Sequence, residues 1–199
     1  NAPLLLNPSF SVHKYAWLME FLGNIKHYES NTHETVRLAL LARKRLFNIA
    51  EQENIDFDLE KRGILHFYHS EQDYTFATRV NDMLCTGGLE RHAVTLDEIR
   101  KIEPSLTGNY YGGFYCPGDA TGDIHKFTTG LANVTQKNGV NYLFGMEVVD
   151  VEHTQNKVLI KYHQSTENML QNAAVVEHLE ADAVLVCGGV GSYQLANQL

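Results

Sequence analysis

The sequence predicts a mixed α/β (α+β) fold, and three observations carry that expectation. In the first third, apolar residues recur at steps of three and four. In the middle third, short aromatic runs alternate with capped helical stretches. In the last third, a hairpin pattern leads into a continuous apolar run that ends in glycines. The chain has 199 residues, enough to bury a sizeable core as one large domain or two small ones. Hydrophobic residues make up 44% and charged residues 20%, with 24 acidic against 16 basic side chains and a formal charge of −8. That composition excludes disorder as the main state. The negative balance argues against broad nucleic-acid or anionic-membrane binding, since both reward clustered Lys and Arg.

Residues 11–28 read as a helix. Tyr15, Leu18, Leu22 and Ile25 form its apolar stripe, with Trp17, Phe21 and Tyr28 beside it. Gly23 costs about 1 kcal/mol relative to Ala and marks a point where this helix can break. A second helix is expected from Asn31, which would cap it with Glu34 three residues on, to about Asn54. Its apolar side carries Val36, Leu40, Phe47 and Ala50; Arg43, Lys44 and Arg45 take the wet side. Gly63 opens a strand over 64–69. Phe76, Val80 and Leu84 mark a helix that Gly87-Gly88 stops. Thr95-Leu96-Asp97-Glu98 is a capping box for a short helix through Ile99 and Ile102, which Pro104 bars from continuing. A second aromatic strand is expected over 110–116.

Asp123 is an N-cap for a helix carrying Ile124, Phe127, Leu131 and Val134, and Asn138-Gly139 stops it. A short strand over 140–144 should follow. Then comes a hairpin, 148–152 and 158–162, around Gln155-Asn156, with Val158, Ile160 and Tyr162 on one face. Residues 164–173 read as a polar loop. Ala181-Asp182-Ala183-Val184-Leu185-Val186-Cys187 reads as a strand buried on both faces, running into Gly188-Gly189-Val190-Gly191-Ser192 and a final helix.

Cys85, Cys116 and Cys187 form no CxxC pair, so zinc-knuckle spacing is absent and three reduced thiols in a cytoplasmic protein are expected. No stretch approaches the ~20 apolar residues that span a bilayer. The opening Leu4-Leu5-Leu6 is too short for a signal-peptide core, and no basic residue precedes it. The first residue is not Met, so the chain is expected to begin inside something longer or to have been trimmed.

The glycines after the apolar run support two readings. They would let a ligand approach the backbone closely, with helix N-terminal amides attracting an anion. A tight strand-to-helix turn needs the same glycines. The run is not GxGxxG, and a hairpin rather than a helix precedes it, so the βαβ setting is lacking. Pro117-Gly118-Asp119-Ala120-Thr121-Gly122-Asp123-Ile124-His125 offers carboxylates and a histidine for a metal or catalytic pair. A glycine-rich turn and a helix cap account for it better. His66 and His69 are expected on opposite faces of a strand and cannot share an ion. No HExxH, GxSxG or GxxxxGK[ST] occurs. Tyr110, Tyr111 and Tyr115 fit a sheet face or core better than a pocket wall.

Four stretches in order resemble one family. They are Asn54-Ile55-Asp56-Phe57-Asp58 with Arg62-Gly63-Ile64-Leu65; Glu103-Pro104-Ser105-Leu106 with Gly112-Gly113-Phe114-Tyr115-Cys116-Pro117; Thr121-Gly122-Asp123-Ile124-His125-Lys126-Phe127 through Leu131-Ala132; and the run from Ala181 to Gly189. Together they are similar to FAD-dependent amino-acid oxidoreductases of the D-amino acid oxidase and glycine oxidase type. The likeness is greatest to the bacterial D-amino acid dehydrogenase small-subunit group and covers nearly the whole chain. The family's opening strand–GxGxxG–helix is absent here, as are its later substrate-binding and flavin-closing segments. The chain therefore resembles a middle fragment of a two-domain FAD-dependent oxidoreductase.

The resemblance implies a helical segment over 1–58, part of a mixed-sheet substrate domain over 59–122, and part of a Rossmann-like FAD domain over 123–199. It places Val148 where a backbone meets the adenine. It places Cys187, Gly188, Gly189 and Gly191 where a strand end passes the dinucleotide, although relatives often carry a bulky residue at the Gly191 position. It assigns no catalytic residue and no metal, and leaves the substrate-contacting residues unknown. The implied activity is oxidation of D-amino acids to imino and keto acids, with electrons passed to a quinone or another respiratory acceptor. Alternatives are a glycine or sarcosine oxidase-like enzyme using oxygen, or a non-catalytic α/β module binding a nucleotide or a protein. The cofactor would be FAD, which this chain alone is not expected to retain, so that alone it should be inactive. The implied location is cytoplasmic or peripheral on the inner face of the bacterial plasma membrane, with no nucleic-acid partner. Apolar surface in the last third is expected to be exposed or hidden in an oligomer.

Overall fold

The computed structural model describes residues 10–165 and 175–196. The chain forms two compact units, Asn1–Thr135 and Gln136–Leu199.

In the first unit, Ser11 accepts a hydrogen bond from the Lys14 N–H and starts α1, Val12–Asn24. The helix breaks just after Gly23, where a 3-10 turn, Ile25–His27, leads directly into α2, Tyr28–Gln52. The expected cap at Asn31 is thereby corrected. The backbone is already helical from Tyr28, so the amides after Asn31 find carbonyl partners in the preceding turn and need no side-chain cap. The other end falls where expected: the Glu53 N–H donates to the Ile49 carbonyl, and Asn54 takes the left-handed φ of 52° that asparagine tolerates.

Strands β1 (Ile64–Tyr68), β2 (His92–Val94) and β3 (Gly112–Cys116) form an antiparallel sheet in the order β1-β3-β2. Helix α3, Glu71–Thr86, starts at the Ser70 cap, and Tyr74 stacks on Phe114 at 5.2 Å between centroids. Phe114 is only 2% exposed. The expected stripe of α3 needs correction, because Phe76 is 68% exposed and Ala77 is the buried residue. Docking the Tyr74 ring on the central strand turns Phe76 outward. Helix α4, Leu96–Ile102, carries the complete capping box at Thr95 and Glu98, and buries Ile99 fully. A Cβ on Gly113 would lie 3.2 Å from Ile99 and 2.6 Å from the His66 carbonyl oxygen, so this position of β3 has room only for glycine.

Helix α5, Ile124–Lys137, opens at Asp123, whose carboxylate accepts from the N–H groups of His125 (2.8 Å) and Lys126 (3.1 Å). Those bonds hold the Asp123 carboxyl below the usual carboxylate range. Phe127 meets Phe57 edge-on at 5.3 Å in a core shared with Ala50 and Ile55. Ile124, expected on that face, is exposed instead.

In the second unit, β4 (Met146–His153), β5 (Val158–Gln164) and β6 (Glu177–Ala181) form an antiparallel meander. The β4–β5 hairpin is the expected one, closed by Thr154 against Lys157 and burying Val151 and Val158. Strand β6 was hidden by its charges: Glu177 and Glu180 leave no apolar alternation, yet its backbone pairs from Glu177↔Tyr162 to Ala181↔Val158. Two expected strands are absent. Residues 140–144 are irregular, and of the run 181–187 only Ala181 is paired. A strand buried on both faces needs neighbours on both sides, and among the described residues none flank it, so Leu185 stands 87% exposed. Val190, Val175 and Leu179 are exposed as well, which puts apolar surface in the last third. The polar loop expected over 164–173 lies, from residue 166 on, outside the described residues.

Candidate functional site

The five expected cofactor-contacting residues all lie in the second unit. Val148 sits on β4 opposite Tyr162, next to a bulge between Val148 and Asp150. A bulge turns the strand locally and re-aims its neighbours. Lys161, on β5, clamps the strand there. Its ammonium donates to Glu152 and, at 2.9 Å, to Asp150. The bonds raise the lysine's pKa and lower that of Asp150. Periodicity alone does not reveal this clamp, but the hairpin register brings Lys161 across from Asp150, with Glu152 on the diagonal.

Cys187 is exposed and does not end a strand, which corrects its expected position. Gly188 precedes a 3-10 turn, Gly189–Gly191, in which the Gly191 N–H donates to the Gly188 carbonyl at 3.0 Å. Helix α6, Ser192–Ala196, follows and packs beside β4, so the glycine turn and the strand bearing Val148 belong to one local assembly. Gly189 has φ 56°, a conformation that L side chains rarely adopt. Nothing lies within 4 Å of a Cβ built on Gly189 or Gly191. The turn therefore presents bare backbone to open space, which fits close approach of a dinucleotide. The GxGxxG strand-to-helix turn that cradles a pyrophosphate is not among the 199 residues.

The other candidates resolve into structure. Asp119 pairs with Arg43 at 2.6 Å, tying α2 to the loop before α5. Arg43 thus leaves the wet side assigned to it, because the loop after β3 brings a carboxylate to it across 76 residues. Thr121 forms a backbone bridge with Glu60, and Asp123 caps α5. His66 lies on β1 opposite Phe114, whereas His69 lies beyond the strand end with its Nδ1 3.2 Å from the Asn109 carbonyl oxygen. Burial lowers the pKa of His66, with the nearby Arg91 adding to the effect. Among the described residues no group of three or more His, Cys, Asp or Glu could hold a metal ion. Tyr115 donates to the Arg62 carbonyl at 2.6 Å, Tyr110 packs on Phe67, and Tyr111 lies beside Tyr74.

The cysteines differ sharply. Cys116 is buried in β3, and burial, reinforced by Asp119, pushes its thiol up to about 11, whereas Cys187 is exposed. Only the thiolate is nucleophilic. Iodoacetamide at neutral pH is therefore expected to label Cys187 and spare Cys116 until the protein unfolds, as read by peptide mass spectrometry. Equal labelling of both in the native protein would contradict the buried position of β3.

A family model described as FAD dependent oxidoreductase matches residues 11–199. The chain belongs to that family. Among curated relatives, it is 44% identical over 98% of its length to D-amino acid dehydrogenase 3 of Mesorhizobium japonicum, covering 45% of that protein. It is 31% identical over 97% of its length to the D-amino acid dehydrogenase of Dechloromonas aromatica, covering 46% of that protein. The chain thus spans less than half the length of these relatives. Among solved structures, glycine oxidase from Geobacillus kaustophilus matches 81% of this chain and 42% of its own, with a TM-score of 0.69 at 20% identity. L-proline dehydrogenase from P. horikoshii matches 78% of this chain and 40% of its own, at 0.61 and 16%. At those identities the structural likeness is one of fold. Among the described residues no helix is long and apolar enough to cross a membrane.

Proposed function

We propose that this chain is the central part of a flavoenzyme that oxidises D-amino acids. The observation that carries the reading is the 44% identity with a D-amino acid dehydrogenase across almost the whole chain. In this reading the substrate's α-carbon gives up a hydride, and the resulting imino acid hydrolyses to a keto acid and ammonia. FAD, when bound, supplies the hydride acceptor; the protein's share is binding and orientation. The backbone of Val148 would meet the adenine. Cys187, Gly188, Gly189 and Gly191 would let the dinucleotide pass close to the main chain. Residues 59–122 would belong to the substrate-binding part and 123–199 to the FAD-binding part. The electrons would leave to a quinone or another respiratory acceptor, with the protein peripheral on the inner face of the plasma membrane.

Anaerobic mixing of the full-length protein with D-alanine or L-alanine tests this. Loss of the oxidised-flavin absorbance with the D enantiomer alone is the expected result. Flavin reduction by glycine that reverses when oxygen is admitted, with no response to D-alanine, would move the assignment to the oxidases.

A further inference from the structure

We propose that Lys161 is a positioning residue for the cofactor: through Asp150 and Glu152 it fixes the register of β4, and so holds the Val148 backbone where it reads the edge of an adenine. The proposal rests on the reading that this backbone meets the adenine, and it names what keeps it there. Up to Val148, β4 pairs with β5 in one register, Glu147 opposite His163 and Val148 opposite Tyr162. From Asp150 onward the register is shifted by one residue, with Asp150 opposite Lys161 and Val151 opposite Ile160. Side chains alternate along a strand, so a one-residue insertion exchanges the two faces beyond it. Glu147, Asp150 and Glu152 thereby share a face with Lys161 and His163, while Val148 and Val151 share the other with Ile160 and Tyr162. In an uninterrupted strand Glu147 and Val151 would lie on one face, so burying Val151, now 2% exposed, would turn the acid to the buried side as well.

Two residues, Val148 and Val149, thus stand against one, Tyr162, which is the arrangement of a β-bulge. Apolar burial does not by itself say where the bulge falls. Moved one step toward His153, it would set Val149 and Asp150 against Lys161. Moved one step back, it would set Glu147 and Val148 against His163 and leave Val149 to Tyr162. Both shifts keep Val151 opposite Ile160, and the two valines are 40% and 37% exposed, so packing separates them little. Charge separates them. The Lys161 ammonium donates to Asp150 at 2.9 Å and to Glu152, and the forward shift would put Val149 in the place of Asp150. On the near side the Glu147 carboxylate lies 4.0 Å from the His163 Nε2, a weaker hold. The lysine is therefore the main lock. An exposed ion pair is weak, but choosing among positions so alike in burial takes only a factor of a few. A bulge bends its strand and sets which way the neighbouring N–H and C=O groups point, so locking its place locks the aim of the Val148 main chain.

Hypoxanthine presents a carbonyl and an N–H where adenine presents an amine and a bare nitrogen, so its flavin dinucleotide reverses the polarity that a backbone N–H and C=O would read. The full-length apo-protein is expected to bind FAD at least about tenfold more tightly than flavin hypoxanthine dinucleotide. Lys161→Gln should shrink that preference at least about threefold and speed hydrogen exchange over 146–153, whereas Lys161→Arg should retain it. Asp150→Asn with Glu152→Gln reaches the lock from the other strand and should act as Lys161→Gln does. Lys157→Gln removes the same charge one residue before β5, where the lysine pairs with Asp182 at 2.5 Å, and should leave the preference unchanged. A role in stability alone would weaken both dinucleotides together and leave their ratio intact. A ratio unmoved by Lys161→Gln and by the double acid variant overturns the proposal, and so does an equal fall with Lys157→Gln. Equal binding of the two dinucleotides by the unaltered protein overturns it too. Flavin reduction by D-alanine, measured on the same full-length protein, separates this from the activity reading: reduction without adenine preference removes the adenine placement and its lock alone, and preference without reduction removes only the substrate assignment.

Discussion

Phe114→Ala is expected to lower the stability of the first unit by about 3–5 kcal/mol, the range for removing a fully buried aromatic from a packed core. The ring is 2% exposed at the centre of the β1-β3-β2 sheet. It is stacked by Tyr74 at 5.2 Å, met edge-on by Tyr68 at 6.2 Å, and covered by the Arg91 guanidinium at 4.9 Å. Truncation leaves a void lined by two tyrosines that neighbouring strands cannot fill, and it removes the surface on which α3 docks. The measurement is the urea midpoint at unchanged slope. Phe76→Ala, on the outer side of α3, is the control and should lie within about 0.5 kcal/mol of the unaltered protein. Similar losses for the two variants would mean that α3 does not dock by its Tyr74 face.

Gly189→Val is expected to weaken FAD binding by the full-length protein at least about tenfold, by the loss of both the left-handed turn and the space beside it. An L side chain at φ 56° costs roughly 1–2 kcal/mol in backbone strain, and a β-branched one sits least well there. Strain alone would be an ambiguous result, and Gly191→Ala removes the ambiguity. Gly191 does not have positive φ, and nothing lies within 4 Å of its Cβ, so the fold should accept alanine. A drop in FAD affinity with Gly191→Ala at unchanged melting temperature reports a ligand next to that backbone. Unchanged affinity in both variants would reduce 188–191 to an ordinary turn.

Local order was legible wherever the signal spans a few residues. Helix Val12–Asn24 with its Ser11 cap, the Thr95 box, the Asp123 cap and the 146–164 hairpin follow from capping chemistry and short-range periodicity, whereas Tyr28–Gln52 shows its period but opens without a side-chain cap, three residues before Asn31. The glycine turn was legible too, because positive φ at Gly189 is a demand on one residue. The family could also be read from the sequence, since the order of four motifs survives in the chain as text.

The tertiary structure decided which faces meet and which strands pair. Phe76 satisfies a helical stripe as well as Ala77 does, and only the stacking of Tyr74 on Phe114 turns it to solvent. Arg43 reads as a wet residue until a loop 76 positions away brings Asp119 to it. β6 has no alternating pattern and exists because β5 offers it an open edge. The run 181–187 has every mark of a buried strand and yet forms none beyond Ala181, because among the described residues no strand stands on either side of it. Caps, turns and periods are set by contacts within about four residues of the chain, and the sequence carries them directly. Burial and strand pairing are set by partners supplied from elsewhere in space, which no local pattern can specify.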